Sequence, residues 1–234
     1  MERYLIVGGS SGIGAASADV IMARGGAVTI MDVTPPSRPG TEYIPVDVSD
    51  ADSIREAMAR VREPLAGWLH TAGISLSSPI EEMPDGDIAR QVAINLTGMC
   101  LTAKYVSRHL AEGAAVVLVA SELAMVGTTR GGIVYSATKG GVVALARSLA
   151  VSWRSRNIRV NALCPGATRT PMIEASWARE DDAGRAERED AAGAVLNRVA
   201  EPEEIARAAW FLLSSDSSFV DGHALVADGG AIIW

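Results

Sequence analysis

Cysteine is scarce in this chain of 234 residues, with only Cys100 and Cys164 present. Two thiols are too few for a disulfide framework and lack the spacing of a metal site, so both are expected in the core of a protein kept in a reducing compartment. Basic charge is also in deficit: 21 Lys and Arg against 28 Asp and Glu leave a formal charge of −7. That balance argues against a general affinity for nucleic acid or anionic membranes, so any phosphate must be bound locally. No apolar run approaches the length of a membrane span, and the apolar stretch in MERYLIVGGSSGIG breaks into glycine and serine too early for a signal peptide, so the expected location is the cytoplasm. Neither a fixed-period repeat nor a low-complexity linker interrupts the chain, which points to a single domain over residues 1–234. No cluster of metal-ligating residues stands out.

What is present is alternation. Apolar, β-branched runs at Tyr4 to Val7, Val28 to Met31, Tyr43 to Val46, Trp68 to His70, Val116 to Ala120, Arg159 to Leu163 and Ala224 to Ala227 read as strands. Between them, helical spacing of apolar residues predicts helices over Ile13 to Arg24, Asp52 to Arg62, Ile88 to Leu110, Tyr135 to Arg154 and Pro202 to Leu213. Strands that are continuously apolar are covered on both faces. The expected fold class is therefore α/β, a doubly wound parallel sheet of about seven strands. Residues 169–198 carry Trp177 and the charged stretch AREDDAGRAERED, which reads as a solvated helix or a flap.

Gly8-Gly9-Ser10-Ser11-Gly12-Ile13-Gly14 follows the first strand and opens the first helix. Glycines there allow a tight turn and close backbone approach, and free amides at a helix start attract a pyrophosphate. Asp32 closes the second strand, where a carboxylate reaches the adenosine ribose hydroxyls and repels a 2′-phosphate. No Arg or Lys lies in the glycine loop or between Asp32 and Arg38, so the expected cofactor is NAD, with NADP disfavoured. The competing role for Asp32 is a turn aspartate before Val33-Thr34-Pro35-Pro36.

Tyr135 and Lys139 are spaced to share one helix face, and Ser121 ends a predicted strand fourteen residues earlier. With GxxxGxG, the acidic strand end, YSATK and NALCPG in this order, the chain resembles the short-chain dehydrogenase/reductase family along essentially its whole length. The resemblance implies a single-domain Rossmann fold and an oxidoreductase. It implies Tyr135 as general acid/base, Lys139 as the cation that lowers the tyrosine pKa and binds the nicotinamide ribose, and Ser121 as the hydroxyl that orients the substrate oxygen. Asn95, in VAINLTG, matches the asparagine that holds a water on the proton path to the lysine; the alternative is a mid-helix asparagine bonding to backbone. Asp47 and Val48 match the pair at the adenine, and Ala72 and Gly73 match the tail of an NNAG motif. Pro165, Gly166, Thr168 and Thr170 match the segment on the nicotinamide side.

Several positions depart from the family pattern. Val7 stands where a threonine is usual, and His70-Thr71 stands where two asparagines are, so two groups that normally make sheet-stabilising hydrogen bonds are missing. The interval from Gly127 to Tyr135 is one residue longer than is common, with Thr128 to Gly132 as a turn over the site. Glu122, next to Ser121, is expected to face solvent because neighbours at a strand end alternate in direction; a hydroxylated substrate is the other use for it. Met172, Ile173 and Trp177 suggest an apolar lid, or the packed face of an amphipathic helix. The expected partner is a small secondary alcohol or ketone of the sugar-alcohol, cyclic-alcohol, steroid or dihydrodiol type. A 3-oxoacyl-carrier-protein reductase using NADPH, a noncatalytic NAD sensor and a Rossmann-type methyltransferase are the alternatives. The resemblance also implies a homotetramer or homodimer, with the helices near 88–110 and 135–154 packed on symmetry mates and Ala231 to Trp234 in a subunit contact.

Overall fold

The computed structural model describes residues 1–62, 64–127, 132–177 and 195–233. Seven strands form one wholly parallel sheet: β1 (Arg3–Val7), β2 (Ala27–Asp32), β3 (Glu42–Pro45), β4 (Leu65–His70), β5 (Leu110–Val119), β6 (Arg159–Pro165) and β7 (Ala224–Ala227). Their order is β3-β2-β1-β4-β5-β6-β7, so the chain reverses its direction of winding between β1 and β4. In open α/β sheets a ligand crevice forms outside the carboxyl ends of the strands at such a switch point.

Among the described residues the helices are α1 (Gly12–Met22), α2 (Ala51–Met58), α3 (Asp85–Val92), α4 (Gly98–Val106), α5 (Ile133–Trp153), α6 (Pro171–Trp177) and α7 (Pro202–Leu213). Strand residues alternate between two cores. Leu5, Val7, Trp68, Val116 and Leu118 pack with α2, α4 and α5, whereas Tyr4, Ile6, Leu69, Val117 and Val119 pack with α1 and α7. Each fully buried aliphatic side chain contributes about 1.5–3 kcal/mol, and both faces of the sheet must be covered to collect it. Helix α7 starts as its sequence dictates, with Pro202 in the first turn and a reciprocal capping box between Glu201 and Glu204. Among the described residues no helix is long and apolar enough to cross a membrane.

Three expectations are corrected. The long helix over Ile88 to Leu110 is two helices, α3 and α4, joined by a π turn over Ala93–Thr97, and Leu110 already belongs to β5. Apolar spacing is nearly continuous through such a turn, so periodicity does not reveal it. Cys100 is exposed, and only Cys164 is a core thiol; α4 turns Met99 and Ala103 into the core and leaves Cys100 on its outer face. Helix α2 ends at Met58, short of Arg62. The charged stretch 178–190, residues 128–131 of the expected turn over Thr128 to Gly132, and Trp234 lie outside the described residues.

Candidate active site

The carboxyl ends of six strands open on one cleft of about 830 Å³, within the size range of small-molecule sites. Its walls include Gly8, Ser11, Gly12, Ile13, Gly14, Asp32, Asp47, Val48, Ala72, Gly73, Ser121, Tyr135, Lys139, Pro165, Gly166, Thr168 and Thr170. Ser10 and Asn95 are the two candidate residues that do not line it.

The glycine loop has no spare room. Gly8 has φ +84°, and a Cβ on it would sit 2.4 Å from the Ala72 amide nitrogen; a Cβ on Gly14 would sit 2.1 Å from the Gly8 carbonyl oxygen. The backbone of the β1 turn thus lies directly against α1 and against the loop after β4, as close approach to a pyrophosphate requires. Ser11, the N-cap of α1, makes no side-chain cap, and no acidic residue occupies the first turn, so the start of α1 suits an anion. The missing threonine and asparagines are compensated within the same pair of strands: the Thr71 hydroxyl donates to the Gly8 carbonyl at 2.7 Å, with the Val7 carbonyl at 3.1 Å.

At the adenosine end, Asp32 accepts from the Ser10 amide at 3.0 Å and the Thr34 amide at 3.2 Å. It therefore does the work of a turn aspartate while still lining the cleft. Ser10 spends its hydroxyl on the Thr34 carbonyl at 2.6 Å. Arg38 is held in an ion pair with Asp19 at 2.6 Å. The Asp47 carboxyl is kept below its ordinary range by the Ser49 hydroxyl and amide, with Arg90 adding to the effect. Thr71, Ser75, Ser77 and Arg90 also border the cleft; the first three belong to the motif and the segment after β4 that face the site, whereas Arg90 arrives from α3 and no spacing rule marks it.

At the other end, Ser121 follows β5, is buried, and accepts from the Leu123 amide at 3.2 Å. Tyr135 and Lys139 stand one turn apart on α5, with the ammonium 5.5 Å from the phenol ring centroid. Lys139 is buried, and its Nζ donates to the Val119 carbonyl at 2.9 Å. Burial pushes the Tyr135 phenol up to about 12; the Ser121 hydroxyl opposes this and the Glu122 charge adds to it. Burial likewise lowers Lys139 to about 8. Asn95 is fully buried in the π turn and clamps the Ile74 backbone from both sides, accepting from its amide at 2.8 Å and donating to its carbonyl at 2.9 Å, with Thr138 as a further partner. Only Gly73 separates it from the lysine: a Cβ there would be 3.2 Å from Asn95 Oδ1 and 3.5 Å from Lys139 Nζ.

These groups come from a strand end, a helix and a π turn, and the chain's overall likeness decides what they belong to. A family model described as Enoyl-(Acyl carrier protein) reductase matches residues 7–231. The chain is 36% identical over 246 residues to cis-4-hydroxycyclohexanecarboxylate dehydrogenase of Sinomonas cyclohexanicum, covering 98% of this chain and 96% of the relative. The chain belongs to the short-chain dehydrogenase/reductase family. This short-chain dehydrogenase/reductase is also 33% identical to 2,5-dichloro-2,5-cyclohexadiene-1,4-diol dehydrogenase of Sphingobium indicum, over 98% of this chain and 96% of the relative. Its fold superposes with a TM-score of 0.94 on a short-chain dehydrogenase family protein from Francisella tularensis, at 26% identity and 100% coverage of both chains. Membership makes it an oxidoreductase of a family that binds a nicotinamide dinucleotide and acts on small molecules.

One residue of this short-chain dehydrogenase/reductase behaves differently from expectation. Glu122 turns inward: its Oε2 is shielded from solvent and has no hydrogen-bond partner, and a Cβ on Gly166 would lie 3.0 Å from it. The alternation argument fails because β5 ends at Val119 and the chain enters a 3₁₀ turn at Glu122–Ala124. On α6, Met172 is 39% exposed and Trp177 only 4%; both border the cleft, so one end of α6 is free while the other is packed.

Proposed function

We propose that this protein is an NAD-dependent dehydrogenase moving a hydride between the nicotinamide and a secondary alcohol or ketone, in the cytoplasm and as one domain. The observation that carries the reading is the convergence of Ser121, Tyr135 and Lys139 on the cleft whose far end presents Asp32. When bound, the dinucleotide supplies the hydride acceptor or donor and, oxidised, a positive charge near the phenol. The start of α1 holds the pyrophosphate, Asp32 the adenosine ribose, Asp47 and Val48 the adenine, and Ala72, Gly73, Pro165, Gly166, Thr168 and Thr170 the nicotinamide half. Arg38 is turned to Asp19 in a half-exposed ion pair, and the Asp32 carboxylate at the ribose repels a 2′-phosphate, which favours NAD over NADP.

Ser121 orients the substrate oxygen, and Tyr135 exchanges its proton. A phenol held up at about 12 is an acid at neutrality; it serves as a base only when positive charge beside it favours phenolate. Lys139 contributes that charge when protonated and binds the nicotinamide ribose, and its low pKa lets it pass a proton onward. Asn95 positions the loop at Ile74 and, through it, the lysine end of the proton path. Relatives that act on a cyclic alcohol and a cyclic diol point to a substrate of that type. The test is reduction of NAD against NADP with secondary alcohols, polyols, steroids and cyclic diols. Tyr135→Phe is expected to lower kcat at least 1000-fold while NAD affinity stays within about threefold, in keeping with loss of a proton-transfer group; full activity in that variant would overturn the reading.

A further inference from the structure

Glu122 is the group at this site that the chemistry above does not use. It lies one residue beyond Ser121, borders the same cleft, and stands close enough to Tyr135 for its charge to push the phenol up. Its environment is costly. Oε2 is buried without a partner, and a buried polar atom left unpaired is strongly unfavourable. Asp228, on the loop after β7, is the carboxylate that faces it across Gly166: a Cβ on Gly166 would fall 2.7 Å from Asp228 Cα and 3.0 Å from Glu122 Oε2. Asp228 is already satisfied by the Gly230 and Ile232 amides, each at 2.9 Å. Burial first, and the charge of Asp228 second, push the Glu122 carboxyl up to about 7. Among the described residues no cation and no hydrogen-bond donor meets this side chain.

We propose that Glu122 determines substrate specificity by accepting a hydrogen bond from a second hydroxyl of the substrate, so that the enzyme selects diols and polyols over simple secondary alcohols. The proposal rests on the dehydrogenase reading. The reacting oxygen is addressed by Ser121 and Tyr135; Oε2 of Glu122 is sealed from solvent and so from substrate, which leaves Oε1, on a side chain that borders the same cleft, as the oxygen to meet a hydroxyl on a neighbouring carbon. Once a bound substrate shuts water out of the cleft, a carboxyl oxygen with no protein donor is left unpaired by the analogue that lacks the second hydroxyl, and that analogue is disfavoured. The same carboxyl repels a substrate that carries its own carboxylate on that side.

The experiment compares kcat/KM for NAD reduction with cyclohexane-1,2-diol and with cyclohexanol in the wild type, Glu122→Gln and Glu122→Leu. The expected wild-type preference for the diol is at least tenfold. Glu122→Gln keeps an acceptor oxygen and retains most of that preference. Glu122→Leu brings the ratio close to one, and its cyclohexanol turnover rises because the charge that opposes phenolate formation at Tyr135 is gone. NAD affinity and melting temperature, measured for each variant, separate this from misfolding; if Glu122→Leu does not fold, Glu122→Gln against Glu122→Ala supplies the same comparison. A wild type that oxidises cyclohexanol as well as the diol, or a preference that survives Glu122→Leu, overturns the Glu122 proposal and leaves the dehydrogenase reading standing. No NAD reduction with any alcohol, in the wild type as in Tyr135→Phe, overturns both.

Discussion

A buried group and a partly buried one near the active site titrate in opposite senses over the same pH range, and the apoprotein should hide both. His70 is fully buried with neither ring nitrogen paired, and burial, with Lys139 nearby, lowers it from 6.5 to about 3. The unfolded chain takes up a proton below pH 6.5 that the folded one refuses, so this group's contribution is complete above pH 6.5 and is lost as pH falls toward 3. Between pH 6.5 and 5.0 the loss is about 2 kcal/mol, at about 1.4 kcal/mol per pH unit. Glu122 is raised from 4.5 to about 7, so the folded state holds the proton more tightly; its contribution is complete below pH 4.5 and is lost as pH rises through 7. Acidification from pH 7 to 5.0 gains about 2.7 kcal/mol on the same scale, cut to about 2 because the side chain is only partly shielded. Urea unfolding of the apoprotein at pH 7.5 and 5.0, at one fixed protein concentration, is expected to show nearly equal wild-type stability. His70→Asn should gain about 2 kcal/mol on acidification and Glu122→Gln should lose about as much, a shift of roughly 0.7 M in urea midpoint for a slope near 3 kcal/mol per molar. The other titrating groups are common to all three proteins and cancel in the differences. Three parallel pH dependences would refute the opposed titration of His70 and Glu122.

Further outcomes follow from the same geometry. Gly14→Ala places a methyl group 2.1 Å from the Gly8 carbonyl oxygen; overpacking of backbone costs about 2–3 kcal/mol, so calorimetry should record a Tm lower by roughly 5–10 °C, with NAD binding lost in titration. Asp32→Ser should lower the NAD-over-NADP ratio of kcat/KM by about 30-fold, the equivalent of about 2 kcal/mol of relieved repulsion, and an unchanged ratio would remove Asp32 from cofactor selection. A homotetramer or homodimer is the expected assembly, and light scattering of the eluted protein at monomer mass would exclude it.

Much of the fold is legible in the chain because seven β-branched runs and the helices between them are strong, local and repeated. The glycine loop, Asp32 and the Tyr135–Lys139 spacing are legible for a similar reason: each function needs particular residue types a fixed distance apart on one element. The interruption of the helix around Asn95 is invisible to periodicity, since a π turn shifts the phase by only one residue. That Thr71 replaces the missing loop contacts, that Asn95 clamps Ile74 and that Arg38 is tied to Asp19 are decided by pairings across 64, 21 and 19 positions, which no local pattern encodes. Glu122 is the clearest case. Its residue type and its place beside Ser121 were fixed by the chain, but whether a carboxylate there meets water or a dry wall depends on Gly166 and Asp228, brought to it by β6 and β7. Local propensity sets where strands and helices run; the dielectric around a side chain is made by whatever else the fold packs against it.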